Sequence, residues 1–211
     1  MFLTTTEWLE RVKTDMEELT PDWDRIVTQT GGSDIEQYIR AKWPEALTHL
    51  LAVAPEHLCI GNSVDITSQL SPEMRQDGSG RVVLPDDMLR MLRFEMNGWR
   101  RPVTRFVDRL HPTAEKQYNP YARGGAEKPV AVISSDEQGR LVLDYFSLPP
   151  YMRRHEVKSA IYIPLPQEKN EGYDLHPLLG EAACYLCAAL VFDILGQSEK
   201  AAIMRKQMSY N

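Results

Sequence analysis

Residues 175–208 read LHPLLGEAACYLCAALVFDILGQSEKAAIMRKQM, and the run from 182 to 195 within them, AACYLCAALVFDIL, carries one charge, Asp193. A helix with no polar face cannot lie on a protein surface, so this one is predicted to be surrounded by other protein. Pro177 suits its first turn, where a missing N–H costs nothing. The run is shorter than the roughly 20 apolar residues that a bilayer requires. Ala182, Ala183, Ala188 and Ala189 leave room for neighbours to approach closely. Beyond Gly196 a second, polar helix is expected over residues 198–208.

Two amphipathic helices open the chain and supply partners for that core. Thr4 and Glu7 fit a capping box, and Trp8, Leu9, Val12, Met16 and Leu19 recur at helical spacing before Pro21. A second capping box, Ser33 to Glu36, precedes Ile35, Tyr38, Ile39, Trp43, Ala46, Leu47, Leu50 and Leu51. Pro44 lies inside that pattern and predicts a kink or interruption near Lys42.

Between these ends the signals are mixed. Leu58-Cys59-Ile60 and residues 63–66 look like strand fragments, Gln76 to Gly80 a turn, and residues 81–84 a strand. Pro85-Asp86-Asp87 reads as a helix start, followed by Met88, Leu89, Met91, Leu92, Phe94 and Met96 and ended by Asn97-Gly98. Residues 99–128 have no regular pattern and predict an extended arm or long loop. Residues 130–133 and 141–146 flank the turn Asp136 to Gly139 as a hairpin, and residues 159–163 make a third strand. The expected fold is α+β and mostly α: a helical bundle with a small antiparallel β-sheet insertion and a long extended arm. It forms a single domain over 1–211, with N-terminal helices to 55, strand and helix over 56–98, the arm over 99–128, the small sheet over 129–165 and C-terminal helices over 175–208.

Charge is unevenly spread over the 211 residues. The net charge is −6, yet residues 1–60 hold 5 Lys/Arg against 11 Asp/Glu while residues 85–128 hold 9 against 6. An acidic start and a basic middle permit head-to-tail contact between copies, and overall acidity argues against a protein that coats nucleic acid. Three cysteines and a start, MFLTTTEWLERVK, without the basic and apolar blocks of a secretory leader predict a reducing, intracellular setting.

No motif spells out a reaction. Cys184-x-x-Cys187 lies inside the apolar helix, where cysteine packs as a small hydrophobe, and no second ligand pair completes a zinc site. Asp86 and Asp87 are explained by the predicted helix start, and His49, His57, His111, His155 and His176 show no ligand spacing. None of the glycine pairs is a GxGxxG or P-loop motif. No catalytic, cofactor-binding or metal-binding residue is therefore assigned. The most suggestive surface set is arginine with aromatics, the composition of interface anchors: Arg100, Arg101, Arg105, Tyr118, Tyr121 and Arg123. Together with Arg90, Arg93 and Arg109 the same set allows a nucleic-acid surface over residues 90–109. A small-ligand or enzymatic site near the 99–128 arm is a further alternative.

The order of elements carries a resemblance. Two amphipathic helices run into Leu51-Ala52-Val53-Ala54-Pro55, a strand-rich middle follows, and the chain closes on EAACYLCAALVFDILGQSEKAAIMRKQM. This resembles the head–tail adaptors of tailed bacteriophages, the tail-tubular-protein-A-like group. The resemblance implies a non-enzymatic structural protein without cofactor or membrane. Copies would form a ring, usually a dodecamer, between the portal protein and the next tail or neck protein, with double-stranded DNA passing transiently through the channel. It places the chain in the virion neck or the host cytoplasm.

Overall fold

The computed structural model describes residues 1–19, 35–149 and 151–208. The chain forms two units: a helical one from Met1–Asn62 with Leu165–Asn211, and a β unit, Ser63–Pro164, inserted between them.

The helical unit is built around the helix predicted first. It runs Pro177–Ile194, here α5, after helices α1 (Thr5–Glu18), α2 (Ile35–Val53), α3 (Glu56–Cys59) and α4 (Pro112–Tyr118, in the β unit). A last helix, α6, covers Ser198–Gln207. By length and composition alone α5 could cross a membrane, but α1, α2 and α6 pack against it and Ala182, Ala183, Cys187, Ala188, Ala189, Val191 and Phe192 are at most 1% exposed. Asp193, the one charge in its apolar run 182–195, pairs with Arg205 on α6. The Thr4 capping box is present: Thr4 Oγ1 accepts from Glu7 N at 3.2 Å and the Glu7 carboxylate accepts from Thr4 N at 2.9 Å. The second predicted box, at Ser33, lies outside the described residues.

Helix α2 runs through Pro44, so the expected interruption is absent. Trp43, Ala46 and Leu47 are fully buried on either side of the proline. Their packing offsets the helix-interior cost of proline, about 3 kcal/mol. Trp43 stacks on Trp8 of α1, centroids 4.4 Å apart and planes 3° from parallel. Leu58-Cys59-Ile60 is α3 leading into a 3-10 turn, not a strand. The N-terminal strand β1 (Phe2–Thr4) pairs with β10 (Gly172–Asp174), closing the unit across the insertion. Gly172 is required there, because a Cβ would stand 2.4 Å from the Leu3 carbonyl oxygen.

The β unit overturns the expected fold. Among the described residues helix makes 39% and strand 23%, in three sheets that include a five-stranded one, so this is not a mostly helical bundle with a small sheet. One sheet orders β2 (Val64–Asp65), β9 (Val157–Pro164) and β5 (Met88–Met96). The larger orders β3 (Glu73–Met74), β4 (Gly80–Val83), β8 (Leu141–Tyr145), β7 (Ala131–Ser135) and β6 (Val107–Asp108). The predicted hairpin is β7–β8, and the third predicted strand lies within β9. Val82, Phe94, Leu143, Tyr145 and Ala160, from both sheets, share one apolar cluster.

The main correction is β5, predicted as a helix after Asp86-Asp87. Met88, Met91 and Phe94 face Pro164, Tyr162 and Ala160 on β9, with register shifts between. Each step of three residues on β5 matches a step of two on β9. Bulges of this kind insert an extra residue, so one face of the strand recurs every third position and imitates a helix. The 99–128 segment is not an extended arm either. Phe94 and Val103 exchange backbone hydrogen bonds of 2.9 and 2.8 Å, β6 joins β7 in parallel, and α4 packs through Ala114 onto Val132 and Phe146. Those contacts supply the partners that its irregular backbone needs.

Candidate interaction surface

The six residues expected at an interface divide into two groups. Arg100, Arg101, Arg105 and Tyr121 stand in solvent, Tyr121 fully so. Arg100 reaches Glu127 at 3.4 Å, both largely exposed. Arg123 turns inward instead, and Tyr118, 40% exposed, is tied by ring and hydroxyl to buried partners. Tyr118 packs edge-on against Phe146, centroids 5.1 Å apart, and its hydroxyl donates to Asp144 Oδ2 at 2.9 Å. Arg123 lies over the same ring at 5.4 Å, with a side chain only 7% exposed. It donates to the carbonyl oxygens of Gln117 at 2.6 Å and Asp77 at 2.8 Å, and pairs with the Asp77 carboxylate.

Asp144 organises this region and was not singled out in the sequence. Its side chain is 1% exposed on β8 and receives Arg81 through Nε at 2.8 Å and Nη2 at 3.1 Å. Arg75 approaches the same carboxylate at 3.3 Å. Burial pushes the Asp144 carboxyl up, but the hydrogen bonds from Arg81 and Tyr118 outweigh it and hold the group below the ordinary carboxylate range. Its hydrogen bond and burial push the Tyr118 phenol up to about 12. At Asp77 burial is likewise outweighed, by hydrogen bonds from Ser79 and Arg123, and the carboxyl falls to about 2. The signal that was available is a lone carboxylate inside LVLDYF, since a charge in a buried strand must be paired.

Two further polar groups are buried in the same unit. Glu95 accepts from Arg93 at 2.8 Å and Lys158 at 2.6 Å. The Tyr145 hydroxyl and His155 Nδ1 are 2.8 Å apart, and burial lowers the imidazole pKa, which favours the neutral ring. Gly80 permits this arrangement, because a Cβ there would stand 2.1 Å from the Tyr145 hydroxyl oxygen. Asp87, expected at a helix start, accepts instead from the Tyr162 hydroxyl at 2.9 Å.

The exposed part of the region centres on α4. Leu110 precedes it and Tyr121 follows it, 94% and 100% exposed. Both are held by the same device. Leu110 N donates to Asp108 Oδ1 at 2.8 Å, and Tyr121 N donates to Asn119 Oδ1 at 3.0 Å. His111 then caps α4, its Nδ1 accepting from Thr113 N at 3.1 Å.

The helical unit has a groove of about 480 Å³ between α1 and the start of α5. Met1, Pro177 and Leu178 give it an apolar wall, and Glu10, Asp15 and Glu181 make its rim acidic against one cation, Arg11. Burial, then Glu18 and Glu181, push the Asp15 carboxyl up to about 6. Cys184 borders the groove but is 2% exposed, and burial drives its thiol up to about 12. Cys187 is fully buried, its thiol facing the Ile39 carbonyl at 3.6 Å, and burial raises its pKa also. None of the three cysteines forms a disulfide, and thiols held protonated like those of Cys184 and Cys187 pack as hydrophobes. Among the described residues no group of three or more His, Cys, Asp and Glu is placed to hold a metal.

No protein-family model matches the chain, and no curated protein matches it in sequence.

Proposed function

We propose that this chain is a structural protein of a tailed bacteriophage or prophage, a head–tail adaptor that assembles as a ring between portal and tail and lines part of the DNA channel. The observation that carries this reading is the chain's organisation. Both ends build one helical unit around an apolar helix, and a β unit is inserted at Ser63–Pro164. The reading rests on the order of elements, helices at both ends and strands between, and the insertion here is a full two-sheet unit where the resemblance implies a small one. Two features add support. The two buried carboxylates of the β unit, Asp144 and Glu95, are taken up in ion pairs with neighbouring strands, a scaffolding use. The exposed arginines and the projecting Leu110 and Tyr121 have the composition of interface anchors.

The test is assembly. The protein is co-expressed with a portal protein encoded in the same genome, and the product is imaged by electron microscopy and sized by light scattering. Rings on the portal are expected. A chain that stays monomeric and ignores that portal overturns the reading. Tight, strongly salt-dependent binding to DNA by isolated monomers would favour a nucleic-acid module instead.

A further inference from the structure

Leu110 and Tyr121 are unusual exposed apolar residues because neither is floppy. Each sits two residues after a side-chain oxygen that captures its own N–H. The helix between them is fixed from below: Ala114 is buried on Val132 and Phe146, and Tyr118 is bonded to Asp144. A projection whose backbone is held in this way has less chain entropy left to lose on docking. Arg105 and Arg109 are exposed beside it. The α1–α5 groove offers the opposite character, an apolar wall with three carboxylates around it. The α1 wall of the groove and the α4 edge also come from the two oppositely charged parts of the chain, residues 1–60 and residues 85–128.

We infer that one copy seats the α4 edge of its β unit, led by Arg109, Leu110 and Tyr121, in the α1–α5 groove of the next copy. Leu110 enters the apolar wall at Leu178, and Arg109 meets Glu181. The two surfaces differ, so the contact is heterologous and repeats head to tail, which closes a ring or grows a filament. This contact rests on the proposed ring for its biological setting, but it can be tested without a portal.

Two differently tagged preparations of the full chain are mixed, one carrying Leu110→Cys and the other Leu178→Cys, and oxidised gently. The native thiols are buried, at most 2% exposed, so they do not compete. A disulfide-linked dimer bearing both tags is expected, and none is expected when Val53→Cys, at 59% exposure on another helix, replaces Leu178→Cys. In sedimentation, Arg109→Glu should weaken self-association about tenfold or more, and adding Glu181→Arg should restore it, as charge reversal across one pair requires. Both positions are exposed, and circular dichroism verifies that each variant folds. If the chain forms rings that Arg109→Glu and Leu110→Asp leave intact, this contact is wrong while the ring reading stands. If the chain never self-associates, alone or with its portal, both fall.

Discussion

The two units solve the same problem with different materials. Five polar or charged residues are buried among those described, Ser79, Glu95, Gln117, Asp144 and His155, and all five belong to the β unit. The helical unit is filled instead by Trp43, Met16, Leu47, Leu50 and Phe192. A long helix satisfies its own backbone and needs only an apolar surround. The β unit must place short strands, a parallel edge and a helix on one another, and it specifies those placements with buried ion pairs. Packing energy depends on volume and hardly on pH. Paired carboxylates depend on both partners and on protonation.

Four substitutions test that contrast, taken from the largest expected effect down. Phe192→Ala removes a fully buried ring from α5 and should cost about 3–5 kcal/mol in urea unfolding. Its cost should be alike at pH 7 and pH 4. Asp144→Asn weakens a carboxylate that three donors share and should cost about 2–3 kcal/mol at pH 7. The charged cost differs in its pH dependence. The folded pKa is depressed, so the stability from ionisation is present above the unfolded value of about 3.9 and is lost as pH falls through the folded one. The gap between wild type and Asp144→Asn should therefore narrow in acid. A gap unchanged down to pH 2 would show that Asp144 contributes only shape.

Asp15 is the exception in the helical unit. Its folded pKa is raised to about 6, so folding takes up a proton there and stability falls as pH rises from about 4 to 6. Asp15→Asn should gain about 1 kcal/mol at pH 7 and nothing at pH 3, a figure reduced because the carboxylate is partly solvated. A loss at pH 7 would mean that this carboxylate has a stabilising partner. The smallest effect is Thr4→Ala, about 1 kcal/mol from the lost N-cap, read as a shift in the thermal midpoint.

The interface region was legible in composition and not in arrangement. Arginine with tyrosine marked residues 99–123, yet Tyr118 and Arg123 are tied down by Asp144, Asp77 and Phe146, partners 26, 46 and 23 positions away. Leu110 carried no signal, because leucine in a sequence reads as core. Only the turn built by Asp108 decides that it faces water.

What the sequence determined by itself is local. The capping box at Thr4, the apolar faces of α1 and α2, the apolar run of α5 and the β7–β8 hairpin all follow from spacing within one element, where neighbours in the chain are neighbours in space. Only the tertiary structure decided the rest. β5 is a strand because β9 pairs with it through repeated bulges, and those bulges give it a helical spacing that no local rule can separate from a helix. Residues 99–128 fold because strand β7 and the buried carboxylate of Asp144 on β8 receive them. Contacts at that separation are paid for by the whole fold, so no short window of residues contains them.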